Sequence, residues 1–232
     1  MTDEPSRITE ATVVELRELM GRYPQARSAL IPMLHLVQSV DGCVSDTGVQ
    51  LCADLLGISA NEVLGVATFY TMFKRRPAGQ HHIGICRTAL CAVLGGDLIW
   101  DEVREKLGLE DGETTPDGKF SLEGIQCNAA CDFAPVMTVD WEFMDNMTPE
   151  RAAAIIDYLS ANQPVRATRG PILAGFRASE RVLAGFPDGK ADEGPGAGEA
   201  SVRGTRIAAI NRWVAPLGVP IPGVTERSAG DA

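Results

Sequence analysis

The chain has 232 residues, of which 45% are hydrophobic and 22% are charged, so it can form one or two compact cores, and its composition excludes collagen, a coiled coil and wholesale disorder. A formal net charge of −10 argues against a dedicated nucleic-acid binder, which would carry a basic surface. No apolar run approaches the roughly 20 residues that a transmembrane helix requires, and the acidic N-terminus lacks the pattern of a signal peptide.

Residues 8–76 have the hydrophobic spacing of a small helical bundle. A capping-box pattern at Thr12 to Glu15 predicts the start of a first helix, which ends at Gly21. A second helix is predicted over 26–40, because an apolar stripe runs through it until Asp41 and Gly42. Two shorter helices are expected over 50–56 and 61–66.

Residues 77–160 alternate between strand and helix patterns. Strands are predicted over 82–86, 120–125 and 136–140, and helices over 93–107 and 149–159, the last one capped by Thr148. The order β-α-β-β-α predicts an α/β or α+β arrangement, in which helices pack on a small sheet.

Residues 161–232 differ in composition from the rest. About a quarter of them are glycine or proline, aromatic residues are few, and the acidic excess is confined to residues 1–160. We therefore expect an extended or partly disordered C-terminal tail. A small repeat within it, Leu173 to Phe176 and again Leu183 to Phe186, is either a pair of apolar anchors that dock on another chain or a chance similarity within a linker.

Four of the six cysteines form two close pairs, Cys86-x4-Cys91 and Cys127-x3-Cys131, and each pair follows a predicted strand. Loops that follow strands of one sheet can meet at the same edge, so four thiolates could converge there on a [2Fe-2S] cluster or a structural zinc ion. Small, apolar loop residues that offer backbone N–H groups to sulfur favour iron, whereas structural zinc more often uses C-x2-C pairs. Four unrelated buried thiols are the remaining alternative.

Two further features carry less information. Cys43 and Cys52 fall in the helical half and are interpreted as core residues. The glycine-rich run at 194–198 is neither preceded by a predicted strand nor followed by an amphipathic helix, so it does not predict a nucleotide-binding loop. We therefore expect the chain to bind neither NADH nor a flavin by itself.

The segments GICRTALC (84–91) and IQCNAACDFAPVMTVD (125–140), together with the lead-in over 65–86, carry a resemblance to a known family. Over residues 8–160 the chain resembles the 24 kDa [2Fe-2S] subunit (the E subunit) of NADH-quinone oxidoreductase, respiratory complex I. The resemblance implies a helical bundle followed by a thioredoxin-like ferredoxin domain. It also implies that the ligands of one [2Fe-2S] cluster are Cys86, Cys91, Cys127 and Cys131. The family usually has Leu-Gly where Asn128-Ala129 stands here, which leaves these ligands intact but bears on the backbone turn between them.

The resemblance implies an electron-transfer subunit rather than a complete enzyme, with no catalytic residue on this chain. Its cluster would accept single electrons from the FMN of a neighbouring NADH-binding subunit, and the helical bundle would be a natural docking surface. The large iron–sulfur subunit of the same module would be a second partner. The chain would lie at the cytoplasmic face of the cell membrane without inserting into it.

Two alternatives stay open at this point. One is the homologous diaphorase subunit of an NAD-linked formate dehydrogenase or hydrogenase. The other is a non-enzymatic assembly module that zinc stabilises.

Overall fold

Four helices form the first half of the chain. The computed structural model describes residues 6–196 and 199–211, and its first four helices are α1 (Glu10–Gly21), α2 (Leu30–Asp41), α3 (Asp46–Leu56) and α4 (Ala60–Phe69). Leu16, Met33, Val49 and Val63, one from each helix, are buried in a shared core. The structure thus confirms that this part of the chain is helical.

The helix boundaries follow from local chemistry. Helix α1 begins after Thr9, whose backbone N–H donates to Thr12 Oγ1 (3.3 Å), so Thr12 lies within the first turn rather than at the cap. Helix α2 begins at Leu30, after a 3-10 turn over Ala26–Ala29. The predicted helix over 26–40 is not continuous because Pro32 cannot donate to the Ser28 carbonyl and its ring would clash with that group.

A four-stranded mixed sheet forms the second half. Its strands are β1 (His81–Cys86), β2 (Phe120–Ile125), β3 (Met137–Val139) and β4 (Glu142–Met144), and they lie in the order β2-β1-β3-β4. Strand β1 is parallel to β2 and antiparallel to β3, and β4 is antiparallel to β3. Helices α5 (Ala89–Val93) and α6 (Gly96–Leu107) connect β1 to β2, and α7 (Pro149–Ser160) follows β4.

Both faces of the sheet are covered, so every residue of β1 is buried. Ile83 and Ile85 share a core with Ile99 of α6 and Ile156 of α7. Because side chains alternate along a strand, His82 faces the opposite side. There its ring lies 4.8 Å from that of Trp141 and 5.5 Å from that of Phe176.

The first part of the C-terminal region packs on the folded body, whereas its composition predicts an extended or partly disordered tail. Helix α8 (Phe176–Leu183) lies on α2, and Phe176 is fully buried. The Phe176 N–H donates to the Gln80 carbonyl (2.9 Å), and Phe186 is partly buried against the core of the bundle. Both phenylalanines of the small repeat therefore pack within this chain.

The remaining part of the C-terminal region includes helix α9 (Glu199–Ile210). The prediction of a partly disordered tail also covers residues 197–198 and 212–232, which lie outside the described residues. Among the described helices, none combines the length and apolar character needed to cross a bilayer.

Candidate metal centre

All four cysteines of the two close pairs lie at one edge of the sheet. Cys86 is the last residue of β1 and Cys91 lies in α5, while Cys127 follows β2 by two residues and Cys131 begins a 3-10 turn. Strands β1 and β2 are parallel neighbours, with Cys86 opposite Ile125, so the loops that follow them leave the sheet side by side. The four cysteines line a single cavity, and its other lining residues are Ile125, Asn128, Ala130 and Val136.

The sulfur atoms form two pairs within this cavity. The sulfurs of Cys127 and Cys131 lie 3.3 Å apart and are exposed to solvent. Cys86 and Cys91 are buried and line the same cavity. Two neighbouring cysteine pairs suit a binuclear cluster, in which each of two irons takes two thiolates.

Histidine does not add to the donors at this edge of the sheet. Among the described residues, no three or more His, Cys, Asp or Glu side chains come close enough together to hold one ion. The three histidines have other partners: His35 contacts Glu180, His81 contacts Asp140 and His82 contacts Glu123. The donor set at this edge of the sheet is therefore sulfur alone, which fits a [2Fe-2S] cluster.

Hydrogen bonds reach two of the four sulfurs from the surrounding loops. Thr88 Oγ1 lies 3.1 Å from the sulfur of Cys86, and the Ala129 N–H donates to the sulfur of Cys127 (3.4 Å). Donors of this kind stabilise thiolate sulfur and tune the potential of a cluster that the sulfurs hold.

The thiol pKa values differ between the two pairs. Burial raises the pKa of the Cys91 thiol to about 11. The contact with Cys131 and the Ala129 N–H hold the pKa of Cys127 below its usual value, and the same sulfur–sulfur contact raises the pKa of Cys131. Metal binding has to displace the protons of the thiols, so loading of the site depends on pH.

The loop between Cys127 and Cys131 contains a residue other than glycine in the left-handed backbone region. Ala129 has a φ of +58°, in the region that glycine adopts without steric cost. Ala129 stands where the family that the sequence resembles usually has glycine, and it adopts a conformation that glycine reaches readily. The left-handed conformation strains Ala129 by about 1–2 kcal/mol, and the N–H of this strained residue donates to the sulfur of Cys127.

Close packing around the buried cysteines, Cys86 and Cys91, depends on a glycine in α6. Gly96 begins α6, and a Cβ atom built on it would lie 2.7 Å from the Cys86 carbonyl oxygen and 2.8 Å from that of Cys91. Both neighbouring atoms belong to the backbone and cannot move aside cheaply. The absence of a side chain at Gly96 therefore lets α6 pack directly on the first cysteine loop.

Arg169 reaches the second cysteine loop from the C-terminal region. Its guanidinium contacts the carboxylates of Asp132 and Asp145 and lies over the rings of Phe133 and Phe143. No sequence pattern indicates this residue, because an arginine in a glycine- and proline-rich segment has no characteristic spacing from the cysteines. Only the tertiary structure places it against Asp132, the residue that follows Cys131.

The other residues singled out from the sequence lie away from this edge. Cys43 and Cys52 are buried among the helices, and burial raises the pKa of the Cys52 thiol to about 12. The glycine-rich run lies against the chain near Arg169, where the Gly196 N–H donates to the Arg169 carbonyl (3.0 Å). Its described part therefore packs on the protein.

Exposed apolar side chains surround the first cysteine loop. Helix α5, the following turn and the start of α6 expose four of them, namely Leu90, Val93, Leu94 and Leu98. Exposed apolar residues that cluster in this way mark a candidate surface for a protein partner.

Comparison with known proteins identifies a family for most of the folded part. The family model of the thioredoxin-like [2Fe-2S] ferredoxins matches residues 16–160. The E subunit of NADH-quinone oxidoreductase from Mycobacterium tuberculosis is 48% identical over 223 residues, which cover 96% of this chain and 87% of that protein. NADH-quinone oxidoreductase subunit 2 of Thermus thermophilus is 33% identical over 168 residues, 71% of this chain and 93% of its own length.

A solved structure shares the fold. The NAD+-reducing [NiFe]-hydrogenase in its air-oxidised state superimposes with a TM-score of 0.52 at 18% identity. The superposition covers 57% of this chain and 23% of the hydrogenase chain, so this chain spans less than a quarter of its length. At this identity the likeness supports the fold alone.

Proposed function

This chain belongs to the thioredoxin-like [2Fe-2S] ferredoxin family, and we propose that it is the [2Fe-2S] electron-transfer subunit of an NADH-quinone oxidoreductase, respiratory complex I. Membership of the family implies one [2Fe-2S] cluster as the cofactor. The observation that carries the proposal is that two cysteine pairs, 35 residues apart in sequence, line one cavity at the edge of the sheet. The 48% identity to the mycobacterial oxidoreductase subunit over nearly the whole chain supports the choice of this oxidoreductase over a hydrogenase, to which the likeness is structural only.

We assign one iron to Cys86 and Cys91 and the other to Cys127 and Cys131. When bound, such a cluster takes up and gives up one electron at a time. The chain buries the first pair and leaves the second pair at the surface, so one side of the site excludes water and the other is open to a partner. Thr88 and the backbone of Ala129 stabilise the thiolates of Cys86 and Cys127 through hydrogen bonds.

The electron donor in this proposal is the FMN of an adjacent NADH-binding subunit. In this proposal the chain carries electrons and the bond-making steps belong to the partner, since the described residues include no glycine-rich loop between a strand and a helix that would hold a nucleotide. The exposed pair, Cys127 and Cys131, and the apolar side chains around Cys91 support docking of the partner at this edge. The large iron–sulfur subunit is the second partner, and the assembly places the chain at the cytoplasmic face of the membrane.

The cluster assignment is tested on the purified chain by iron analysis, visible absorption and electron paramagnetic resonance after reduction with dithionite. We expect about two irons per chain and an S = 1/2 signal, as a reduced [2Fe-2S] cluster gives. Cys131→Ala should lose most of the visible absorbance, whereas Cys52→Ser, the control from the helical core, should keep the spectrum. A colourless protein with stoichiometric zinc that also fails reconstitution with iron and sulfide would refute the assignment.

The partner is tested by anaerobic addition of NADH. We expect NADH to bleach the cluster absorbance only when the FMN-containing subunit is present, because in this proposal that subunit, and not this chain, binds NADH. Bleaching by NADH in the absence of that subunit, or no bleaching in its presence, would contradict the proposed electron donor.

A further inference from the structure

We propose that Arg169 is a positioning residue for the cluster, which holds the Cys131 loop in place and sets the charge beside it. The inference rests on the proposed ligand assignment and extends it to a segment outside residues 16–160, the part that the family model matches. Arg169 follows α7 by nine residues and returns to the edge of the sheet where the four cysteines lie.

The guanidinium of Arg169 joins the cysteine loop to the body of the sheet. Its Nη2 donates to Asp132 Oδ1 (3.0 Å) and to Asp145 Oδ1 (2.9 Å), and its Nε donates to Asp145 Oδ2 (2.8 Å). Asp132 directly follows the ligand Cys131, and Asp145 directly follows β4. One side chain thus connects the loop that carries the exposed cysteine pair to a fixed point of the fold.

Arg169 and its two carboxylate partners are largely shielded from solvent. Its side chain is only 14% exposed, and the two carboxylates are 23% and 9% exposed. The guanidinium also lies 5.2 Å from the centre of the Phe133 ring and 5.1 Å from that of Phe143. A planar guanidinium can pair with a carboxylate through two parallel hydrogen bonds while it lies over aromatic rings, which an ammonium group cannot reproduce.

The segment that carries Arg169 is itself held in place. Thr168 Oγ1 donates to the Phe143 carbonyl (2.8 Å), and the Thr168 N–H donates to the same carbonyl (2.9 Å). The Gly196 N–H donates to the Arg169 carbonyl from the other side. Arg169 is therefore presented to the cysteine loop by an ordered backbone.

The charge of Arg169 bears on the cluster because reduction adds one negative charge to the site. Arg169 pairs with Asp132, the residue after Cys131, and with Asp145, so its removal leaves both carboxylates uncompensated and makes the addition of an electron less favourable. The loss of the guanidinium hydrogen bonds to Asp132 and Asp145 also makes the loop that carries Cys131 more mobile. Both effects follow from the same side chain, but they can be separated by substitution.

The experiment compares Arg169→Gln, Arg169→Lys and the control Arg166→Gln in the full-length, cluster-loaded chain. Arg166 lies three residues earlier and is half exposed, and it pairs with Glu193 rather than with the cysteine loop. The midpoint potential is measured by redox titration followed by electron paramagnetic resonance. The rate of iron loss to a chelator and the iron content are measured on the same preparations.

We expect Arg169→Gln to shift the midpoint potential to a more negative value and to lose iron several-fold faster than the wild type. Arg169→Lys should keep the wild-type potential, because the positive charge is retained. It should lose iron faster, because an ammonium group cannot form the paired hydrogen bonds of the guanidinium. Arg166→Gln should change neither property.

An unchanged potential in Arg169→Gln overturns the inference even if iron is lost faster, because a merely structural residue would produce that result. Should Arg169→Gln take up no cluster, Arg169→Lys decides, and iron loss at the wild-type rate in that variant overturns the inference. Neither result bears on the proposed function, which depends on the iron content of the wild-type chain.

Discussion

At the residue scale, the loop between Cys127 and Cys131 combines a strained backbone with a functional hydrogen bond. Ala129 has a φ of +58°, and its N–H donates to the sulfur of Cys127. An L-residue is destabilised by about 1–2 kcal/mol in the left-handed region, whereas glycine adopts it freely. The conformation that directs the Ala129 N–H toward the Cys127 sulfur therefore lowers the stability of this loop.

Ala129→Gly should therefore raise the free energy of unfolding by about 1 kcal/mol, the strain relieved less the added flexibility of the unfolded chain. Urea unfolding at matched iron content measures the change. The control is Ala130→Gly, since Ala130 is buried and has a φ of −102°, and this substitution should destabilise by roughly 0.5–1 kcal/mol. Equal destabilisation by both substitutions would show that Ala129 is not strained.

A second residue-scale feature is a buried histidine at the start of the sheet. Burial lowers the pKa of the His82 imidazole, and the nearby positive charge of Lys74 acts in the same direction. The hydrogen bond between His82 Nε2 and Glu123 Oε2 (3.0 Å) opposes this shift without cancelling it. His82 is therefore neutral in the folded protein at neutral pH.

The sign of the pH dependence follows from this lowered pKa. As the pH falls below about 6.5, the unfolded chain binds a proton at His82 and the folded chain does not, so the free energy of unfolding decreases. His82→Gln should flatten this decrease between pH 6.5 and the lowered pKa of the folded state. Urea unfolding at pH 7.5, 6.5 and 5.5 tests it, and an unchanged slope in the variant would contradict a role for His82.

At the element scale, α6 packs so closely on the first cysteine loop that its first residue must be glycine. Gly96→Ala would place a Cβ within 2.8 Å of the carbonyl oxygens of Cys86 and Cys91. We expect a loss of stability of about 1–3 kcal/mol, typical of overpacking, and faster iron loss to a chelator. Gly65→Ala is the control, because Gly65 lies in α4 with open space around it and alanine there should stabilise by roughly 0.5–1 kcal/mol. Similar behaviour of the two variants would contradict the close packing.

The elements that sequence reasoning identified are those with strong local signals. The strand pattern over 120–125 predicted β2 with the bounds that the structure gives, and Thr148 caps α7 by accepting from the Arg151 N–H (3.3 Å). The spacing of the cysteine pairs and their positions after two strands sufficed to bring four residues together as one candidate site.

The elements that were missed depend on tertiary contacts. Strand β4 has only three residues and follows a turn at Asp140 and Trp141, both of which have positive φ. Because neither turn residue is glycine, the sequence lacks the usual signal for a hairpin. Asp140 holds this turn by accepting from the His82 N–H (2.8 Å). Helix α8 lies in a segment whose composition predicts no core, and its burial against α2 is visible only in the fold.

At the scale of the whole molecule, α8 connects the helical bundle to the sheet. Glu180 is fully buried, with one carboxylate oxygen 2.6 Å from His35 Nδ1 of α2 and the other accepting from Trp141 Nε1 (2.6 Å) in the β3–β4 turn. Phe176 packs beside it against the rings of His82 and Trp141. A segment that was expected to be a tail therefore belongs to the core between the two halves.

Removal of the Phe176 side chain should consequently weaken both halves together. A buried phenylalanine replaced by alanine typically costs about 3–5 kcal/mol, which is a large part of the roughly 5–15 kcal/mol that stabilises a whole domain. We expect Phe176→Ala to lower the urea midpoint of far-UV circular dichroism and that of the visible cluster absorbance. Leu183→Ala on the same helix is the control, because Leu183 is 48% exposed and should change both midpoints little. If Phe176→Ala lowered only one of the two midpoints, the bundle and the sheet would unfold independently, and α8 would not be the element that joins them.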